Sequence, residues 1–227
     1  MTNKHDDAAA ELLIREVDEE LRQDQAAQLW KKYGNVVIGG AVALVVAVAG
    51  WQGWNAWQAN QRQDSSARYA AALDRAEAGK AQEASEALAA LAADGTAGYR
   101  VLARLQQAGL ALKGGDLERA ATLYEAVAAD GGVAGAYRDL ARLKAAYLKL
   151  DGGDPAAIEA AVQPLAAESN PWRHSARELM ALAALKRGDK VRAAELFGKL
   201  AEDSAAPQGL RSRAAEMLAS LGGKASG

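Results

Sequence analysis

The chain has 227 residues, of which 57 are alanine, 4 are proline and none is cysteine, with 5 Trp, 6 Tyr and 1 Phe. That composition favours helix over sheet and excludes collagen-like, proline-rich and disulfide-stapled folds, thiolate metal sites and cysteine nucleophiles. A formal net charge of −2 argues against a general nucleic-acid binder, which needs a Lys/Arg excess to neutralise phosphates.

Residues 1–32 form an acidic tail, with five Lys/Arg against eight Asp/Glu. Leu13, Val17 and Leu21 recur every four residues, with Ile14 beside them. This is a narrow apolar stripe on a charged, partly helical segment, too short to be a firm helix by itself.

Residues 33–57 read as a membrane-crossing signal-anchor helix. No charged residue occurs from Tyr33 to Gln61, and Val36–Gly50 is apolar apart from its glycines. About 20 such residues cross a ~30 Å hydrocarbon layer at 1.5 Å per residue. Tyr33 flanks one end and Trp51, Trp54 and Trp57 the other, where amphipathic rings favour the bilayer interface. Ala47-Val48-Ala49 resembles a signal-peptide cleavage site, but the acidic tail before it is unlike the short basic start of such peptides. Arg22, Lys31 and Lys32 lie on the near side, and Arg62 and Arg68 on the far side. The bias favours a cytoplasmic N-terminus and a translocated C-terminal domain. Within the segment Gly39, Ala43, Ala47 and Gly50 share one helix face, a pattern that lets membrane helices pack closely.

Residues 58–221 repeat. Helical runs are interrupted at Gly79-Lys80, Gly115-Asp116, Gly153-Asp154 and Gly188-Asp189. Such a period marks stacked helical hairpins, with Gly ending one helix and Asp capping the next. The apolar face after each break recurs as Ala84, Ala87, Leu88 and Leu91; Ala120, Leu123, Tyr124 and Val127; and Ala193, Leu196, Phe197 and Leu200. The third unit (Ile158, Ala161, Val162, Leu165) reads as slipped by about one residue. Pro207 starts a final helix, with Leu210, Ala214, Met217, Leu218 and Leu221 on one side, expected to cover the open end of the stack. Residues 222–227 read as a loose end.

The runs KGGDLERAATLYEAV and KRGDKVRAAELFGKL resemble the centre of tetratricopeptide repeats, with the small residue of each first helix at Ala72, Ala108 and Ala181. Together with the membrane segment read above, the resemblance implies an all-α fold: one N-terminal transmembrane helix, then a right-handed α-solenoid of about four degenerate tetratricopeptide-like hairpins and a capping helix. The first helices would line a concave groove at Leu102, Leu105, Leu112, Leu143, Tyr147, Leu182 and Leu185, with Gly109, Leu140 and Glu178 nearby. Leu105 and Gly109 stand where some members of the superfamily clamp a C-terminal carboxylate, so that use is not expected.

The order of tail, anchor, Trp-rich exit and repeats also resembles the ancillary SecYEG translocon subunit (YfgM-like) proteins of bacterial inner membranes. That resemblance implies a periplasmic interaction module, with translocon subunits, periplasmic chaperones or secretory clients as partners. An envelope scaffold coordinating cell-division or wall-synthesis machinery is the alternative. No phosphate loop, nucleophile elbow or dinucleotide turn occurs. On the anchored reading His5 and His174 lie on opposite sides of the membrane. The expectation is a protein without catalytic residues, cofactor, metal or small-molecule substrate, with His174 a surface or packing residue.

Overall fold

The computed structural model describes the backbone of residues 3–222, and side chains from residue 27 onward. The side chains of the apolar stripe expected at Leu13, Val17 and Leu21, and the chain end beyond residue 222, lie outside those bounds. The chain divides into two compact units, Met1–Asn60 and Gln61–Gly227. Among the described residues the secondary structure is all helical: nine α-helices, one short 3-10 turn and no strand.

Helix α1 (Asn3–Glu77) contributes its first part to one unit and the rest to the other. The second unit continues with α2 (Ala81–Asp94), α3 (Ala97–Lys113), α4 (Leu117–Ala129), α5 (Gly135–Lys149), α6 (Pro155–Val162), α7 (Arg173–Lys186), α8 (Lys190–Glu202) and α9 (Gln208–Ser220). Each helix packs mainly on its neighbours in the chain, the signature of a quasi-one-dimensional stack. The hairpins are the end of α1 with α2, α3 with α4, α5 with α6 and α7 with α8.

Three hairpin turns share one mechanism. Gly79, Gly115 and Gly188 have φ of 78°, 84° and 79°, the left-handed region that glycine enters without strain. Gly115 N–H donates to Leu112 O at 3.0 Å and Asp116 N–H to Ala111 O at 2.9 Å. This doubly bonded C-terminal turn satisfies carbonyls that the helix leaves open. Gly188 and Asp189 repeat it on Leu185 and Ala184. Asp116, Asp154 and Asp189 each accept a backbone N–H of the following helix, the expected N-cap bond. Lys80, at the first turn, provides no such side-chain bond.

The third turn departs from the expectation. Gly153 is not left-handed. It is needed for close approach: a Cβ there would lie 2.7 Å from Lys149 O. This turn, Leu150–Asp154, is longer than the three-residue turns of the other hairpins. The slip expected in the third unit is absent. Ile158, Val162 and Leu165 are buried at the same distances after Gly153 as Ala84, Leu88 and Leu91 are after Gly79. Ala146 is buried at the same distance before it as Ala72, Ala108 and Ala181 before their glycines. What differs is size and length. Ile158 replaces the small alanine, and Pro164, in the 3-10 turn Gln163–Ala166, follows directly on the short α6.

Small and large residues interlock in the core. Ala84, Ala120 and Ala193 are wholly buried, and Leu88, Tyr124 and Phe197 fill the next turn of the same faces. Close-packed interiors need such complementary volumes. The core falls into three clusters: one around Ala72, Leu88, Leu91 and Ala103, one around Val101, Tyr124, Val127 and Ala141, and a larger C-terminal one spanning α5 to α9. Helix α9 buries Leu210, Ala214 and Leu218 in the last, with Met217 and Leu221 packed at its edge.

An ion-pair repeat accompanies the packing repeat. Arg68–Asp94 and Arg104–Asp130 are each 2.7 Å apart, and Arg177–Asp203 is 3.8 Å apart. Each joins a first helix to the residue that ends its hairpin's second helix, 26 positions on. The third unit carries the corresponding residues, Arg142 and Glu168, but does not pair them. Arg142 turns to Asp139, and Glu168 is taken by Arg173 and Arg177.

Candidate functional site

The first unit offers an apolar, unburied helix face. It is the one described helix long and apolar enough to cross a membrane, and almost none of its apolar window is buried. Val36 and Trp51 are each 71% exposed. Trp54 and Trp57 lie with ring centroids 5.2 Å apart, and Lys32 Nζ sits 5.3 Å from the Tyr33 ring. Gly39, Ala43, Ala47 and Gly50 are exposed on the helix surface, and the space around Gly39 and Gly50 is open. Gly34, by contrast, is covered by the Trp30 ring.

The first-helix residues expected to form one groove have divergent placements. Leu112 and Tyr147 are each 39% exposed. Leu102, Leu105, Leu182 and Leu185 are partly buried, as are Gly109 and Leu140. Leu105 packs on the middle cluster, and Leu182 and Leu185 on the C-terminal one. Leu143 is a correction: it is 3% exposed, inside the C-terminal cluster, and presents nothing to a partner. The reason is that α5 lies between α4 on one side and α6 and α7 on the other. It therefore carries two apolar stripes, and Leu143 belongs to the one facing the later helices.

Glu178 is also not a groove residue. It is 7% exposed and joins three helices. Tyr147 O–H donates to its Oε2 at 2.6 Å, and Arg213 Nε donates to Oε1 at 3.0 Å. A buried carboxylate requires such partners to offset lost hydration. Burial pushes the Tyr147 phenol far above its ordinary range, and the Glu178 bond and charge push it further. His174 is buried, as one of its two expected placements required. Its Nδ1 lies 3.3 Å from Asp203 Oδ2 without hydrogen-bond alignment.

A cleft of about 610 Å³ lies between α4 and α6, floored by the end of α5. Its walls include Leu117, Ala121, Ala146, Leu148, Ile158 and Ala161. It is formed largely by second helices, the side opposite to the expectation. The sequence signal for it is the early Pro164, which follows directly on the short α6.

A stack of capped helical hairpins, each burying its neighbour's apolar face, is a helical-repeat domain, and such domains serve protein–protein interaction. The pattern described as the tetratricopeptide repeat-like domain matches residues 27–199. That is most of the chain, and the protein belongs to this family. The match takes in the apolar segment as well as the hairpins. No match emerges from a comparison with curated proteins.

Proposed function

We propose that this is a non-enzymatic, single-pass protein of a bacterial inner membrane, held by residues 33–57 with its N-terminus in the cytoplasm. Its tetratricopeptide-like domain works in the periplasm as an ancillary part of the SecYEG translocon, bringing emerging proteins or their chaperones to the channel. The observation that carries the anchored reading is the exposed apolar helix of the first unit. In water its surface would cost about 25 cal/mol for each Å² of apolar area, and lipid removes that cost. The translocon assignment is supported by the order of parts along the chain, and the protein-binding one by the repeat family.

In-membrane crosslinking from photoreactive residues at Ala43 and Leu105, read by mass spectrometry, tests this. Channel subunits captured at Ala43, with secretory proteins or chaperones at Leu105, support it. Capture of division or wall-synthesis proteins alone overturns it in favour of an envelope adaptor.

A further inference from the structure

The cleft between α4 and α6 is walled largely by second helices. Its walls are apolar, and Leu117 at its mouth is 50% exposed. Its rim is acidic: Glu118, Glu125, Asp151 and Asp154 line it against one lysine, Lys149. Lys149 is held by Glu125, and Asp151 by Lys186. Glu118 and Asp154 have no ion-pair partner among the described residues. The cleft has a cause in the fold. The long third turn and the short α6 leave α5 packed more closely on α4 than on its own hairpin partner. The gap therefore comes at the one hairpin whose Arg–acid pair is not made.

We infer that this cleft binds an amphipathic protein helix that inserts apolar side chains between α4 and α6 and sets Lys or Arg against Glu118 and Asp154. A groove with two helical walls suits a helical occupant, whose apolar residues recur on one face. The acidic rim selects the sign of its flanks and speeds its approach. The inference rests on the reading of this domain as a protein-binding one and names the chemistry of one partner segment.

The test uses the full chain in zwitterionic lipid nanodiscs, with a photoreactive residue replacing the exposed Ala157 on the cleft wall. The probe is a synthetic helix of about two heptads with a Leu face and Lys flanks, compared with the same peptide carrying Glu flanks. The expected result is about tenfold more crosslinking of the Lys peptide, about 1.4 kcal/mol in binding. That excess should fall with added salt, fall in the Glu118→Lys variant, and vanish in Ala161→Trp, which fills the cleft. The charge-reversed variant keeps the test decisive should Ala161→Trp fail to fold. Equal crosslinking of the two peptides overturns the inference, as does an excess that survives both variants. Capture from Leu105 but not from Ala157 overturns it while leaving the protein-binding reading standing.

Discussion

Replacing Phe197 with alanine tests the packing argument most directly. Its ring is 1% exposed, in the C-terminal cluster, in the turn of α8 that follows wholly buried Ala193. Removing it forfeits about 1.5–3 kcal/mol of transfer free energy. The cavity left in the C-terminal cluster adds to this, giving roughly 3–5 kcal/mol. For a domain of this size that lowers the unfolding midpoint by roughly 6–20 °C. Val191, in the same helix but 84% exposed, is the internal control, and Val191→Ala should stay within about 0.5 kcal/mol. Circular dichroism of the full chain in detergent measures both, and hydrogen exchange locates the loss. Because repeats couple through their nearest neighbours, amides of α7 to α9 should lose protection first. A loss below about 1 kcal/mol, or one spread evenly over all hairpins, would refute the interlocked, quasi-one-dimensional core.

Further outcomes follow from other contacts. Gly188→Ala should cost about 1–2 kcal/mol, because φ of 79° penalises the Cβ of an L-residue. Gly153→Ala should cost a comparable amount for a different reason, the 2.7 Å approach to Lys149 O. Of these two, only Gly188 has a φ that suits a D-alanine, a distinction that semisynthesis and thermal melts can read. Tyr147 should give an alkaline signature. Its pKa is raised in the folded state, so its contribution is complete below the ordinary tyrosine value of about 10 and is lost as pH rises through the higher folded value. Tyr147→Phe should flatten that alkaline decline in unfolding titrations, and an unchanged slope would contradict the raised Tyr147 pKa that burial and Glu178 produce. At the acid end, the Arg104 hydrogen bond holds the Asp130 carboxyl below its ordinary range. That contribution should be present above about pH 4 and fade as pH falls through the lowered value. Finally, Ala43→Leu should weaken lateral capture in the membrane if that small-residue face packs on a channel subunit, and leave it unchanged if the segment only tethers.

Much of the architecture was legible in the residue string because it rests on local chemistry. Helices follow from alanine content and apolar period, and hairpin turns from Gly-Asp pairs whose conformations need no distant partner. The buried positions after each glycine follow from the 3.6-residue repeat, even in the third unit, where Ile158 takes the place of the small alanine. The Arg–acid repeat was also present in the sequence, at fixed distances from each glycine, and would have been found by aligning charged as well as apolar positions. The exposed apolar segment was equally plain, since an uncharged run of that length is a property of composition.

The tertiary structure decided which way the first helices face. A helix between two neighbours carries apolar stripes on both sides, and the sequence does not say which stripe meets a neighbour and which meets solvent. Leu143 turned inward and Tyr147 stayed half outside, although both read as groove residues. Glu178 became the acceptor joining α5, α7 and α9, a contact spanning 31 residues to Tyr147 and 35 to Arg213. The failure of Arg142 and Glu168 to pair with each other and the cleft beside α6 likewise depend on how far a five-residue turn lets one helix stand from another. Distances of that kind are set by packing across the stack, and no single segment of the chain encodes them.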